Sequence, residues 1–154
     1  MNNFQRIFGT GPRGLLFSLT LLFLTYLLEP VVGLPQIHSS YSFGVIIFGF
    51  SIVLTFIVIV WSTKSLHPNQ RGRELITSGA FKYFRHPLYA AFLIFFNLGL
   101  ALFLNNYVYV IWAILHHVVW HINIIGEERL MNNIFPEKYR QYCKKTGRFI
   151  PIFW

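Results

Sequence analysis

Four long apolar runs occupy most of the 154 residues, and a water-soluble fold of this length has nowhere to bury them. The first spans 14–34 and is interrupted only by Glu29 and Pro30; the second, 43–61, has 19 residues and no charge. The third, 88–104, has 17 residues with Asn97 as its one strongly polar member; the fourth, 107–125, has 19 but carries His116, His117, His121 and Asn123. A helix crosses a hydrocarbon core of about 30 Å with roughly 20 apolar residues, so each run is long enough, the third only just. Composition agrees: 55% of residues are hydrophobic and 12% charged, about half the usual charged share. Disordered chains lack such aromatic and aliphatic content. The lone Cys143 excludes an internal disulfide framework. The expected fold is all-α and polytopic: one membrane domain over 1–154, about four transmembrane helices, a cytoplasmic loop and a short cytoplasmic C-terminal helix.

The net charge of +8 raises the question of nucleic acid, but the cations flank the apolar runs and do not line one surface. Anionic lipid headgroups account for such flanks, and no nucleic-acid partner is expected. Arg6 and Arg13 before an apolar run resemble a signal peptide, yet Glu29-Pro30-Val31-Val32-Gly33 offers no small-residue cleavage site, so a retained helix is expected. Two Lys/Arg precede the first run, five lie between Ser62 and His86, six follow Ile125, and the other two connections have none. The positive-inside rule then puts both termini, the middle loop and any polar chemistry on the cytoplasmic side.

In the tail, Gly126–Ile134 continues the fourth helix, Pro136 opens a short helix over Glu137–Lys145, and Gly147 suits its stop. Tyr139, Tyr142 and Cys143 share one face of it, with Lys138, Lys144 and Lys145 outside that stripe, the pattern of an interfacial helix.

Polar groups at membrane depth are costly and mark interior or functional faces. At 100° per residue, His116, Asn123 and Glu127 fall on one stripe of the fourth helix, and His117, His121 and Glu128 on its neighbour. His117 and His121 at i, i+4 also have ligand spacing, but a third ligand is not evident and no metal is expected. Glu127-Glu128 is the only acidic pair in a chain with five acids. At the C-terminus of a helix such a pair would oppose the macrodipole. In the loop, Thr77-Ser78-Gly79 reads as a turn. Pro87 suits the first turn of the third helix, which holds Arg85 and His86 at its entrance and Tyr89 one turn in.

Thr77-Ser78-Gly79, Arg85-His86-Pro87-x-Tyr89, Glu127-Glu128, Tyr139 and Arg148-Phe149-Ile150-Pro151 together resemble the isoprenylcysteine carboxyl methyltransferase family, with its related membrane phospholipid methyltransferases. The resemblance covers roughly 75–151. It implies an S-adenosylmethionine-dependent methyltransferase acting on a lipophilic or small acceptor, with the tail 126–154 closing the cofactor pocket. By similarity, Leu75, Ile76, Phe81, His86, Pro87, Leu88, Tyr89 and Glu127 line that pocket, and Glu128 belongs to the same motif. Relatives often carry tyrosine at the Phe81 position. Where the eukaryotic isoprenylcysteine enzymes place a substrate arginine, four residues before the first motif glutamate, this chain has Asn123.

The residue chemistry is compatible with that assignment. Glu127 can pair with the ammonium of the cofactor, aromatic rings can face its sulfonium, and Arg85 and His86 can meet oxygens or its carboxylate. Methyl transfer is a displacement governed by positioning. An amine acceptor would need a base, for which His121 and His86 are the candidates. Two other readings are an NADPH-dependent enzyme like the membrane sterol reductases and a non-catalytic membrane scaffold.

Overall fold

The computed structural model describes residues 11–66 and 74–151. Arg6 and the loop cations Arg71 and Arg73 lie outside the described residues. All-α architecture is observed: α1 (Gly11–Val32), α2 (Tyr41–Ser65), α3 (Pro87–Leu104), α4 (Tyr107–Asn123), α5 (Ile125–Ile134) and α6 (Pro136–Lys145). A 3₁₀ turn at Gly79–Lys82 precedes α3. Helices α1, α2, α3 and the α4–α5 pair, 28 residues long, are each long and apolar enough to cross a membrane. α2 is longer than its uncharged core because Ser40 caps its start and the helix runs on through Lys64.

The helices form a row: α2 packs on α3, α3 on α4, and α4 on α1. Small residues set the close approaches, as expected where lipid removes the hydrophobic drive between helices. A Cβ on Gly99 of α3 would lie 2.3 Å from Ser51 of α2, and one on Gly14 of α1 would lie 2.4 Å from the Trp120 ring of α4. Large side chains such as Leu16, Phe23, Phe50 and Ile114 remain exposed on the outside, where lipid would cover them. Buried Thr25, Thr55 and Ser62 return their hydroxyls to the carbonyls four residues back at 2.6–2.8 Å, so no donor is stranded.

Two irregularities aim the polar residues. In α3, Ala91–Phe96 form a π turn, with Asn97 N–H reaching Phe92. One inserted residue rotates everything beyond it by about 100°, and Asn97 thereby comes to lie buried against α4. Between α4 and α5 the helix breaks at Ile124 (φ −82°, ψ −4°), so Glu127 and Glu128 sit in the first turn of α5. The macrodipole objection is thereby reversed, since a first turn favours negative charge.

At the other end of the row, Asn105 adopts φ 57° after α3, and its side chain bonds the backbone of Ile37 and His38. This ties the α1–α2 connection to the α3–α4 turn.

Candidate functional site

The segment entering α3 is held from both sides. Gly79 has φ +59°, and a Cβ there would lie 2.1 Å from Ser65 Oγ, which accepts from Ala80 N–H. Only glycine satisfies both the left-handed backbone and this close approach. The chain then runs through Phe84 and Arg85 to His86, which precedes Pro87 at the first position of α3.

The tail returns onto this segment. Arg85 N–H donates to Gly147 O at 2.8 Å and His86 N–H to Arg148 O at 3.1 Å, beside a parallel bridge between Phe84 and Gly147. Arg85 Nε donates to Glu128 Oε1 at 2.9 Å, while its Nη1 reaches the carbonyls of Cys143 and Thr146. Arg148 Nη2 lies 2.6 Å from Glu128 Oε2. Glu128 is therefore clamped between one guanidinium from the loop and one from the tail. Burial raises the pKa of Tyr139 and Tyr142 far above the usual phenol range, Glu128 adding to the effect at Tyr139. Both stay protonated, and Tyr142 donates to the carbonyls of Phe81 and Phe84. The face that resembles an interfacial helix is turned onto the protein's own loop.

Glu127 has different company. Tyr89 OH donates to its Oε1 at 3.0 Å, and His86 Nδ1 lies 3.7 Å from its Oε2. On the other side of the ring, His86 Nε2 is 3.6 Å from Glu128 Oε1, beyond hydrogen-bond length, and among the described residues it is buried without a hydrogen-bond partner. The Tyr89 ring stacks near His86 (5.8 Å) and packs 4.6 Å from the Trp120 ring. The Trp120 indole donates to His116 Nε2 at 2.9 Å and to Ser18 Oγ at 3.2 Å. Asn97 shares a further hydrogen bond with the His116 Nδ1. This buried cluster joins α1, α3 and α4 at membrane depth and ends at the ring that supports Tyr89.

Comparison with known proteins follows the same elements. Residues 39–138, from the start of α2 into α6, match the profile of the phospholipid methyltransferases. The chain belongs to the phospholipid methyltransferase family. A protein-S-isoprenylcysteine O-methyltransferase of Schizosaccharomyces pombe is 36% identical over 81 residues, which cover 51% of this chain and 33% of that relative. The chain thus matches about a third of the relative's length.

Of the residues singled out in this family member, Arg85, His86, Tyr89, Glu127 and Glu128 converge around the His86 ring. Pro87 is buried beneath them, and Phe81 enters through its carbonyl. Leu88 is exposed on the outside of α3. Leu75 and Ile76 are half-buried where the described chain resumes after the loop. Asn123 faces α1, 2.7 Å from where a Gly14 Cβ would stand. His121 lies on the tail side, its Nδ1 3.4 Å from Arg148 Nη1 and its Nε2 3.3 Å from His117 Nε2. The buried Phe149 ring sits edge-on to His121 (4.8 Å) and His117 (5.5 Å). Among the described residues no group of three or more His, Cys, Asp or Glu could hold a metal.

Two contributors escaped the sequence reading. Arg148 is visible only as part of the Arg-Phe-Ile-Pro run, and its role as counter-charge needs the tail's return path. Trp120 shares the stripe of His116, Asn123 and Glu127, a signal that marks it as more than a lipid-facing aromatic.

Proposed function

We propose that this chain is an S-adenosylmethionine-dependent membrane methyltransferase whose site surrounds His86. The observation that carries this reading is the convergence of the buried His86 ring, whose Nε2 makes no hydrogen bond among the described residues, with the Tyr89–Glu127 pair beneath the tail. A buried ring nitrogen without a partner is costly, so the site suits a polar ligand. S-adenosylmethionine, when bound, supplies a methyl group on a sulfonium together with an ammonium and a carboxylate. Glu127 is the carboxylate for the ammonium, and Tyr89 and His86 supply ring faces suited to a cation. Pro87, Phe81, Leu75 and Ile76 are assigned to its apolar lining by family resemblance, whereas Leu88 points away from it. Glu128 and Arg85 act as positioning residues that hold the tail closed.

Methyl transfer by displacement needs alignment and no covalent enzyme intermediate. For an amine acceptor, the acceptor's proton leaves to His86 Nε2 or to His121. We place the acceptor on the Asn123 side, where α1 meets α4 and a lipophilic molecule can enter from the bilayer. Asn123 offers a neutral amide where an arginine fork would match a carboxylate. Arg85 is no substitute, since Glu128 and two tail carbonyls already occupy it. A neutral or cationic head, as on an aminophospholipid or a small lipophilic thiol or amine, therefore suits the site better than a prenylcysteine carboxylate.

The charge distribution orients this site and both termini to the cytoplasm. In a Cys143→Ser background, a cysteine at Ser39 should react with an impermeant label from outside, and one at Lys138 only after permeabilisation; the reverse pattern overturns the orientation. The test of function is thermal-shift titration of the detergent-purified chain. S-adenosylhomocysteine should stabilise it and NADPH should not; stabilisation by NADPH alone would transfer the chain to the reductase reading.

A further inference from the structure

The end of the bundle opposite His86 carries a carboxylate that pairs with no Lys or Arg among the described residues. Glu29 lies three residues before the end of α1, at headgroup depth for a spanning helix. The buried Tyr109 hydroxyl from α4 donates to its Oε2 at 2.6 Å, while Oε1 makes no hydrogen bond among the described residues. The sequence has no Lys or Arg from Gly14 to Thr63, nor from His86 to Glu128. Arg13, the nearest along α1, is about 24 Å away at 1.5 Å per residue.

Glu29 borders a cavity of about 520 Å³ lined also by Tyr26, Leu27, Pro30, Gly33 and Asn106. Asn106 is satisfied by the Leu34 carbonyl and Val108 N–H. Pro30 has no N–H to return to the Tyr26 carbonyl, which leaves a second acceptor on the same side of α1. The exposed Tyr26 ring adds a π face. A carboxylate, a carbonyl and an aromatic ring beside an open cavity form an acceptor set with no donor cation, which is the complement of an ammonium group.

We propose that this cavity binds the primary ammonium headgroup of a phospholipid in the leaflet opposite the His86 site. The lipid source follows from position. The cavity sits beside Leu24, Leu27 and Leu28, which are exposed on α1 where acyl chains would lie. An anionic headgroup finds no cation there and is repelled by Glu29. A quaternary headgroup keeps the ring contact but loses the N–H donors, so the expected order is ethanolamine, then choline, then glycerol headgroups.

The test is thermal-shift titration of the full chain in detergent with phosphatidylethanolamine, phosphatidylglycerol or free ethanolamine. Phosphatidylethanolamine should stabilise the chain, and the other two should not. Glu29→Gln should weaken its apparent affinity about tenfold, the loss of one charge-assisted hydrogen bond. Tyr26→Leu, at a side chain that makes no hydrogen bond among the described residues, should weaken it about threefold and serves if Glu29→Gln folds poorly. Asn123→Ala should leave the stabilisation in place, which separates this cavity from acceptor binding at the other end. Equal stabilisation by phosphatidylglycerol or by free ethanolamine, or affinity unchanged in both Glu29→Gln and Tyr26→Leu, would overturn the proposal.

Discussion

Glu127 and Glu128 are adjacent in the chain and flank the same His86 ring, yet their other partners differ. The Glu128 side chain is 12% exposed and faces two guanidiniums, Arg85 from the loop and Arg148 from the tail. The Glu127 side chain is 23% exposed, accepts from the Tyr89 hydroxyl and lies near the His86 ring. Their hundred-degree separation around the helix is enough to send one toward the tail and the other toward the α1–α3–α4 contact. One carboxylate is part of a closure, and the other is the one we propose to receive the ligand. Similar chemistry in neighbouring positions thus acquires different work from what each position faces.

The largest effect should come from the closure. Glu128→Ala leaves the buried Arg85 guanidinium and the partly exposed Arg148 without their counter-charge, and removing the partner of a buried charge such as Arg85 costs about 3 kcal/mol. The expected outcome is a lowered melting temperature together with faster tryptic cleavage at Lys144, Lys145 and Arg148 as the tail detaches. Cleavage at wild-type rate would show that the backbone bonds from Arg85 and His86 hold the tail alone.

Next is the support of the reception side. A Cβ on Gly14 would meet the Trp120 ring at 2.4 Å and Asn123 at 2.7 Å. The ring is rigid and already hydrogen-bonded to His116 and Ser18, so Gly14→Ala should cost about 2 kcal/mol through overpacking. The displaced Trp120 should disturb Tyr89 and weaken S-adenosylhomocysteine binding, with tail proteolysis unchanged. If tail cleavage accelerates instead, the two sides are not separable.

Glu127→Gln should be smaller still in stability but specific in effect. The Tyr89 hydroxyl can still donate to an amide oxygen, so folding is nearly preserved. S-adenosylmethionine affinity should fall about tenfold, because a neutral amide cannot match a cofactor ammonium. Equal affinity in variant and wild type would remove Glu127 from the site.

The division between the two sides was half legible in the sequence. Helical periodicity separates His116, Asn123 and Glu127 from His117, His121 and Glu128, because it depends only on spacing. The four apolar runs were legible for the same reason, with α2 exceeding its uncharged core at both ends. The partner of each stripe was not legible. The π turn that carries Asn97 onto His116 leaves no mark in an apolar run such as Ala91–Phe96. The break at Ile124 is equally silent, since nothing in Ile122–Gly126 forbids a continuous helix except its final glycine. Arg148 meets Glu128 only because the tail doubles back by bonds between backbone atoms, and those are the same for every residue type.

Glu137 sharpens the comparison from the opposite extreme. It too is a carboxylate beside an arginine, paired with Arg140 one turn along α6. Arg140 lowers its pKa, first by hydrogen bonding and then by charge. A carboxyl lowered on folding stabilises above its unfolded pKa, and that contribution fades as the pH drops through the lowered value. Here both side chains are about two-thirds exposed, water screens the pair, and isolated surface pairs contribute little. Glu137→Gln should therefore leave melting temperature, tail proteolysis and S-adenosylhomocysteine affinity at their wild-type values at neutral pH. The same guanidinium–carboxylate chemistry that should dominate at Glu128 should vanish at Glu137, because burial and not pairing sets its size. A clear loss in the Glu137→Gln variant would mean that α6 is held by its outer charges, and the Glu128 clamp would then share the closure with them.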